Sequence, residues 1–384
     1  MHYDVTGTAQ DPGRAPGVTA VLPSSAVDLA ALGWDDVFAA HFAAHGAQGL
    51  LPARVTLEHQ HIYRVQTGAA DVLANVAGSI RHRASGPQDF PAVGDWVALR
   101  PGTHGHRAVI HAVLPRRSRF SRKVAGDTTV EQVLAANVDT VFVVMSLDAD
   151  FSLRRIERYL ITAWDGGVSP VIVLNKADVC ADVEGAVAAV RGVAAGVPVH
   201  AISTKFDPDL SCLDPYLQPA RTVALLGSSG VGKSTIVNRL VGEDVQRTAE
   251  VREHDQKGRH TTSRRQLIGL PGGALLIDTP GMRELQLWDG EAGVLAAFGD
   301  IETLAAGCRF GDCRHDTEPG CAVKAAADDG RLDPDRLESY RSLRREQVAL
   351  AGRQDERGLI EKKRQGKILA RAVKAFYTRH PASR

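Results

Sequence analysis

The sequence predicts three units in series: a small closed β-barrel, a parallel α/β domain, and a small, mostly helical C-terminal unit built around a metal. Three observations predict this. Short alternating strands punctuated by glycines run from Pro52 to about Pro115. Continuous apolar strands then alternate with helical stretches from Asn137 onward. Beyond Asp300, three cysteines and a histidine crowd into fourteen positions ahead of a charged helical tail. A length of 384 residues suits two or three domains, at roughly 100–200 residues each. With 46 Lys and Arg against 45 Asp and Glu, overall charge selects no partner.

The expected units are an N-terminal extension (1–48), the barrel (49–118), the α/β domain (125–300) and the C-terminal unit (301–384). The extension carries one helix, Trp34 to His45. In the barrel, Arg54 to Leu57, Ile62 to Val65, Asp71 to Val76 and Trp96 to Leu99 read as strands between tight turns, at the size of an OB-fold. In the α/β domain, Thr140 to Val144, Val171 to Leu174, Val197 to Ile202, Thr222 to Leu226 and Leu275 to Ile277 read as strands, with helices at Ser152 to Ala163 and Thr235 to Leu240. Such strands form a parallel sheet covered on both faces, with ligands at their carboxyl ends. No apolar run approaches the ~20 residues of a membrane helix, and the N-terminus lacks a signal pattern, so a cytoplasmic protein is expected. Five cysteines are too few for a disulfide framework.

Three motifs sit at those carboxyl ends. Gly227-Ser228-Ser229-Gly230-Val231-Gly232-Lys233-Ser234, followed by Thr235, has the spacing of a phosphate-binding loop between a strand and a helix. Its glycines let backbone N–H groups face phosphates, Lys233 reaches the β and γ oxygens, and Ser234 offers a hydroxyl to Mg²⁺. The loop alone leaves kinases and ATPases open. Asn175-Lys176-Ala177-Asp178 narrows the base: a carboxylate at Asp178 accepts from the two guanine N–H donors, an arrangement adenine does not offer. Lys176 packs along the base, Asn175 ties the loops together, and Ser203 offers a backbone N–H to the guanine oxygen. Asp278-Thr279-Pro280-Gly281 places Asp278 near Mg²⁺ and the Gly281 amide near the γ-phosphate. These are the parts of a P-loop GTPase in circularly permuted order: base reader first, phosphate loop second, metal segment last. The second switch therefore feeds directly into the C-terminal unit.

Gly258 to Thr262 is the expected first switch, where Thr262, ahead of Thr261, completes Mg²⁺ coordination. Met282 stands where many GTPases carry the glutamine that orients the attacking water, so His260 is the candidate catalytic residue. Gly230 stands where potassium-assisted enzymes carry asparagine. Cys308, Cys313, His315 and Cys321 suit one closed, structural, tetrahedral Zn²⁺. Arg341, Arg344, Arg345 and the basic residues from Lys362 to Arg371 are candidate phosphate contacts.

Together these motifs, with Val93 to Val97, Leu114 to Ser118 and Ala135 to Asp139, resemble the RsgA (YjeQ) family over about residues 50–384. The resemblance implies GTP hydrolysis, slow alone and faster on the 30S subunit, and a role in its late maturation. It also implies barrel and zinc-unit contacts to 16S rRNA. A monomer with no membrane partner is expected. Ser263 departs from the family's third threonine. The alternative that Met282 leaves open is a non-enzymatic, nucleotide-stabilised rRNA-binding scaffold.

Overall fold

The first strand, β1 (Leu51–His59), holds the molecule together because it pairs with three partners. In this computed structural model, residues 27–59, 61–103, 106–123, 131–206, 210–242, 265–278 and 291–348 are described. A register shift between Val55 and Leu57 bends β1, as an extra residue in a strand does. That bend lets it serve β2 (Ile62–Thr67), β4 (Trp96–Arg100) and a strand of the second domain. With β3 (Asp71–Val76) and β5 (Ala108–Val113), the order β1-β2-β3-β5-β4 closes back on β1 as a five-stranded barrel. Only β3 and β5 run parallel within it. Val55, Tyr63, Val65, Val97, Leu99 and Ile110 fill its interior, as period-2 alternation requires.

Ahead of the barrel, α1 (Asp36–Gly46) begins two residues later than expected, because Asp35 caps it by accepting from the amides of Val37 and Phe38. Trp34 instead stacks edge-on against Trp96, with ring centroids 4.7 Å apart.

After a β-hairpin, β6 (Arg119–Lys123) with β7 (Glu131–Ala136), come β8 (Thr140–Ser146), α3 (Leu153–Asp165), β9 (Ser169–Asn175), α4 (Val183–Val193), β10 (Val199–Ala201), β11 (Thr222–Leu226) and α5 (Lys233–Val241). The short α2 (Gly78–Arg83) lies back in the barrel. Strands β10, β9, β8, β11 and β13 (Leu275–Asp278) are parallel, as expected. The sheet is not wholly parallel, however. Strand β12 (Arg265–Gly269) runs antiparallel to β13 and pairs through Leu57↔Gln266 and Glu58↔Arg265 with β1, so barrel and α/β sheet form one continuous eleven-stranded sheet. Only Leu267 and Ile268 of β12 are buried, too few to read as a continuous apolar strand.

Arg54 rivets the two units. Its buried guanidinium donates to Gly94 O at 3.2 Å, Thr222 Oγ1 at 2.8 Å, Asn137 O at 3.3 Å and to Leu32 O. Burial pulls its pKa down to about 10. Below that pH it stays charged and bonds to neutral acceptors. Asp95, also buried, takes the Arg116 fork at 2.8 Å on each oxygen.

The C-terminal unit has α6 (Glu291–Ala297), α7 (Gly299–Ala305), α8 (Ala322–Asp328) and helical residues at 334–348. Its core of Val294, Phe298, Ile301, Val323 and Leu337 includes Ile161 from α3. The unit therefore packs on α3 of the α/β domain. Among the described residues no helix is long and apolar enough to cross a membrane.

Candidate nucleotide and metal sites

Parallel registry brings the sequence motifs to one edge. Ser146 pairs with Asn175, Val143 with Leu226, and Ala224 with Ile277, so β8, β9, β11 and β13 all end on the same side. Residues 175–178, the phosphate loop and Asp278 lie at those ends.

The phosphate loop turns on glycine. Gly232 has φ +99°, and a Cβ there would stand 2.1 Å from Asn175 Nδ2. Gly227 has φ +155°, and its Cβ would meet the Val144 carbonyl oxygen at 2.2 Å. L-residues with a side chain rarely adopt such angles. Gly232 caps α5 without a side chain, so the first-turn amides, with half-buried Ser234 and Thr235, are left for an anion. Lys233 Nζ donates to Gly227 O at 2.7 Å and to Ser228 O, which holds its charge inside the loop.

The base reader is fastened to that loop. Asn175 Nδ2 donates to Val231 O at 2.8 Å, and Asn175 Oδ1 accepts from the Thr204 amide at 3.1 Å. Ser203 Oγ donates to Asp178 Oδ1 at 2.6 Å, which orients an otherwise exposed carboxylate. Lys176 adopts a left-handed backbone, φ +62°, and its ammonium pairs with Asp148 at 2.8 Å. Burial works to raise the Asp148 pKa. Hydrogen bonds from Lys176, the Asp150 amide and Ser146 outweigh it and hold the carboxyl at about 2.

Asp148 was not singled out from sequence. Its signal was a carboxylate two residues past a strand end, flanked by Ser146 and Asp150. Thr204, Arg155 and Tyr159 were missed too: Arg155 Nη1 donates to Ser228 Oγ at 3.1 Å, and Tyr159 OH lies 3.2 Å from it. His260, Thr261, Thr262, Gly281 and Met282 lie outside the described residues.

The second cluster assembles as the spacing predicts. The ligand atoms of Cys308, Cys313, His315 and Cys321 lie within 4.8 Å of one another. His315 Nδ1 is 3.6 Å from Cys308 Sγ and 3.4 Å from Cys321 Sγ, and those two sulfurs are 3.9 Å apart. A tetrahedron with zinc–sulfur and zinc–nitrogen bonds of about 2.3 and 2.0 Å has edges of roughly 3.5–3.8 Å, so the donor set fits zinc. His315 turns in on φ +62°, and burial keeps its pKa below the ordinary imidazole value, favouring the neutral ligating form. Arg341 is engaged within this unit, donating to the His315 carbonyl; 20 % of its side chain is exposed, so it is a poorer phosphate contact than expected.

Comparison with known proteins agrees with this geometry. A family model described as RsgA GTPase matches residues 113–288. A protein of Opitutus terrae, "Small ribosomal subunit biogenesis GTPase RsgA", is 51 % identical over 336 residues, covering 85 % of this chain and 92 % of its own. A Lactiplantibacillus plantarum protein, "Small ribosomal subunit biogenesis GTPase RsgA 2", is 46 % identical over 333 residues, covering 86 % of this chain and 94 % of its own. The crystal structure of YjeQ from Thermotoga maritima superposes with a TM-score of 0.58 at 25 % identity, covering 78 % of this chain and 99 % of that one. Identity of this extent, over chains of nearly full length, joins a permuted guanine-nucleotide site to a barrel and a cysteine–histidine unit: the chain belongs to the RsgA GTPase family and is a GTP-hydrolysing enzyme.

Proposed function

We propose that this enzyme acts on the small (30S) ribosomal subunit late in its maturation, and that the particle stimulates its hydrolysis of GTP. The observation that carries the reading is the Asn175 bridge between base reader and phosphate loop, in a chain half identical to a protein named for small-subunit biogenesis. The protein acts as a cytoplasmic monomer, and its barrel and C-terminal unit contact 16S rRNA.

The chemistry follows from the site. Asp178, held by Ser203, accepts from guanine, while Asn175, Lys176 and Ser203 frame the base. Residues Gly227 to Thr235 cradle the phosphates, and Lys233 offsets the charge that builds on the β and γ oxygens. Ser234, Asp278 and a switch threonine, Thr262 ahead of Thr261, hold Mg²⁺, and the Gly281 amide meets the γ-phosphate. Mg²⁺, when bound, neutralises charge on the transferring phosphoryl. His260 orients the attacking water in place of the glutamine that Met282 displaces. Zn²⁺ held by Cys308, Cys313, His315 and Cys321 is structural, since four protein donors leave no open position.

Multiple-turnover phosphate release with 30S particles, with 50S particles and with neither tests the proposal. Stimulation by 30S alone is expected. Equal rates in all three would contradict it.

A further inference from the structure

Helix α3 grips two parts of the molecule at once. At its N-terminal half, Arg155 and Tyr159 converge on the Ser228 hydroxyl at 3.1 and 3.2 Å. The carbonyl of that same Ser228 accepts from Lys233. The residue that α3 touches is thus one that holds the phosphate-loop lysine.

Between these positions α3 meets the C-terminal unit. The Glu157 carboxylate accepts from Arg336 at 2.9 Å and from Ser339 Oγ at 2.5 Å, with Glu157 and Arg336 side chains only 3 % and 10 % exposed. Arg158 forks onto Glu346 at 2.9 and 3.2 Å. Buried ion pairs are weak glue, because desolvation offsets much of their attraction, but their geometry is specific. Ile161 already supplies apolar adhesion here. The polar pairs therefore fix the angle of the 334–348 helix on α3 more than its affinity. That helix also carries Arg341, which donates to the carbonyl of the cluster residue His315. An unbroken path of contacts runs from Lys233 through Ser228, Tyr159 and α3 to His315.

We propose that Arg155 and Tyr159 are positioning residues that carry the state of the phosphate loop across α3 to the C-terminal unit. This makes α3 a second conduit beside the covalent connection through 279–290. The proposal rests on the guanine-nucleotide reading of the site but not on the ribosomal one. A rigid helix held by both units within the one stretch 155–161 converts a small shift at Ser228 into a shift of the 334–348 helix. Energetic coupling between two sites through such a link typically changes equilibria roughly 5- to 150-fold.

The test is hydrogen–deuterium exchange on the full chain without ribosomal particles. The protein is loaded with GDP or a non-hydrolysable GTP analogue, and loading is checked by displacement of a fluorescent guanine nucleotide. Exchange at amides 334–348 should differ at least about fivefold between the two nucleotides. In the Arg155→Met/Tyr159→Phe double variant the difference should collapse. Arg158→Ala, at a side chain 41 % exposed, should collapse it likewise. If both variants keep the wild-type ratio, the covalent segment carries all the coupling and the proposal is overturned. A purely structural role would raise exchange equally with both nucleotides, which also overturns it. So does a wild-type chain that exchanges alike with either nucleotide. Failure of the 30S-stimulation assay would leave these readouts unaltered, so the two readings fail separately.

Discussion

Asn175 donates from its side-chain amide to the carbonyl of Val231 at 2.8 Å, across 56 positions of sequence. This bond joins the base reader to the phosphate loop, and the Thr204 amide completes the bracket at 3.1 Å. A permuted chain reaches the same site because the parallel sheet, not chain order, brings strand ends together.

Asn175→Ala removes two buried hydrogen bonds. Each is worth about 1–1.5 kcal/mol, so GDP affinity should fall roughly 30- to 150-fold. Isothermal calorimetry checks this; an unchanged affinity would mean the bracket is idle.

Gly232→Ala meets two obstacles, a left-handed backbone and a Cβ 2.1 Å from Asn175 Nδ2. Nucleotide binding should be lost, with a destabilisation of about 1–3 kcal/mol read from urea melts. A variant that binds GDP normally would show that the loop does not need this turn.

Cys321→Ser should lose the metal. Wild-type protein should carry about one zinc per chain by elemental analysis, and removal by a strong chelator should melt the C-terminal unit while the barrel stays folded. Helicity that survives full chelation would contradict a structural zinc.

The Lys176–Asp148 pair sets a pH dependence. Asp148 titrates at about 2 in the folded chain, below its ordinary 3.8. A depressed carboxylate contributes stability above its unfolded pKa and loses it as pH falls through the folded one. The stability gap between wild type and Asp148→Asn should therefore be flat from pH 5 to 8 and close between about pH 4 and 2. A gap that changes near neutrality would implicate another group. The pair is partly exposed, so the gap should be small.

Much of this molecule was legible from sequence because its local signals agree. Thr140 to Val144 and Thr222 to Leu226 are continuous apolar runs that only a doubly covered sheet accommodates, and Gly227 and Gly232 mark a turn nothing bulkier can make. What stayed hidden is long-range. Arg54 reads as an ordinary strand arginine, yet it reaches Thr222 across 168 positions. Glu58 and Arg265 form an ion pair at 2.8 Å that extends the barrel's pairing into the second sheet, and no local pattern announces strand partners 207 residues apart. Nothing local marks Arg155, because its partner, Ser228, precedes a different helix.

Selectivity between guanine and adenine nucleotides tests the central claim most directly. Calorimetric titration of the full chain with GDP and ADP should show a preference for GDP of at least about a hundredfold, which Asp178→Ala removes, since a carboxylate built to accept base N–H donors rejects a base lacking them. Comparable affinities for the two nucleotides in the wild-type protein would contradict the account.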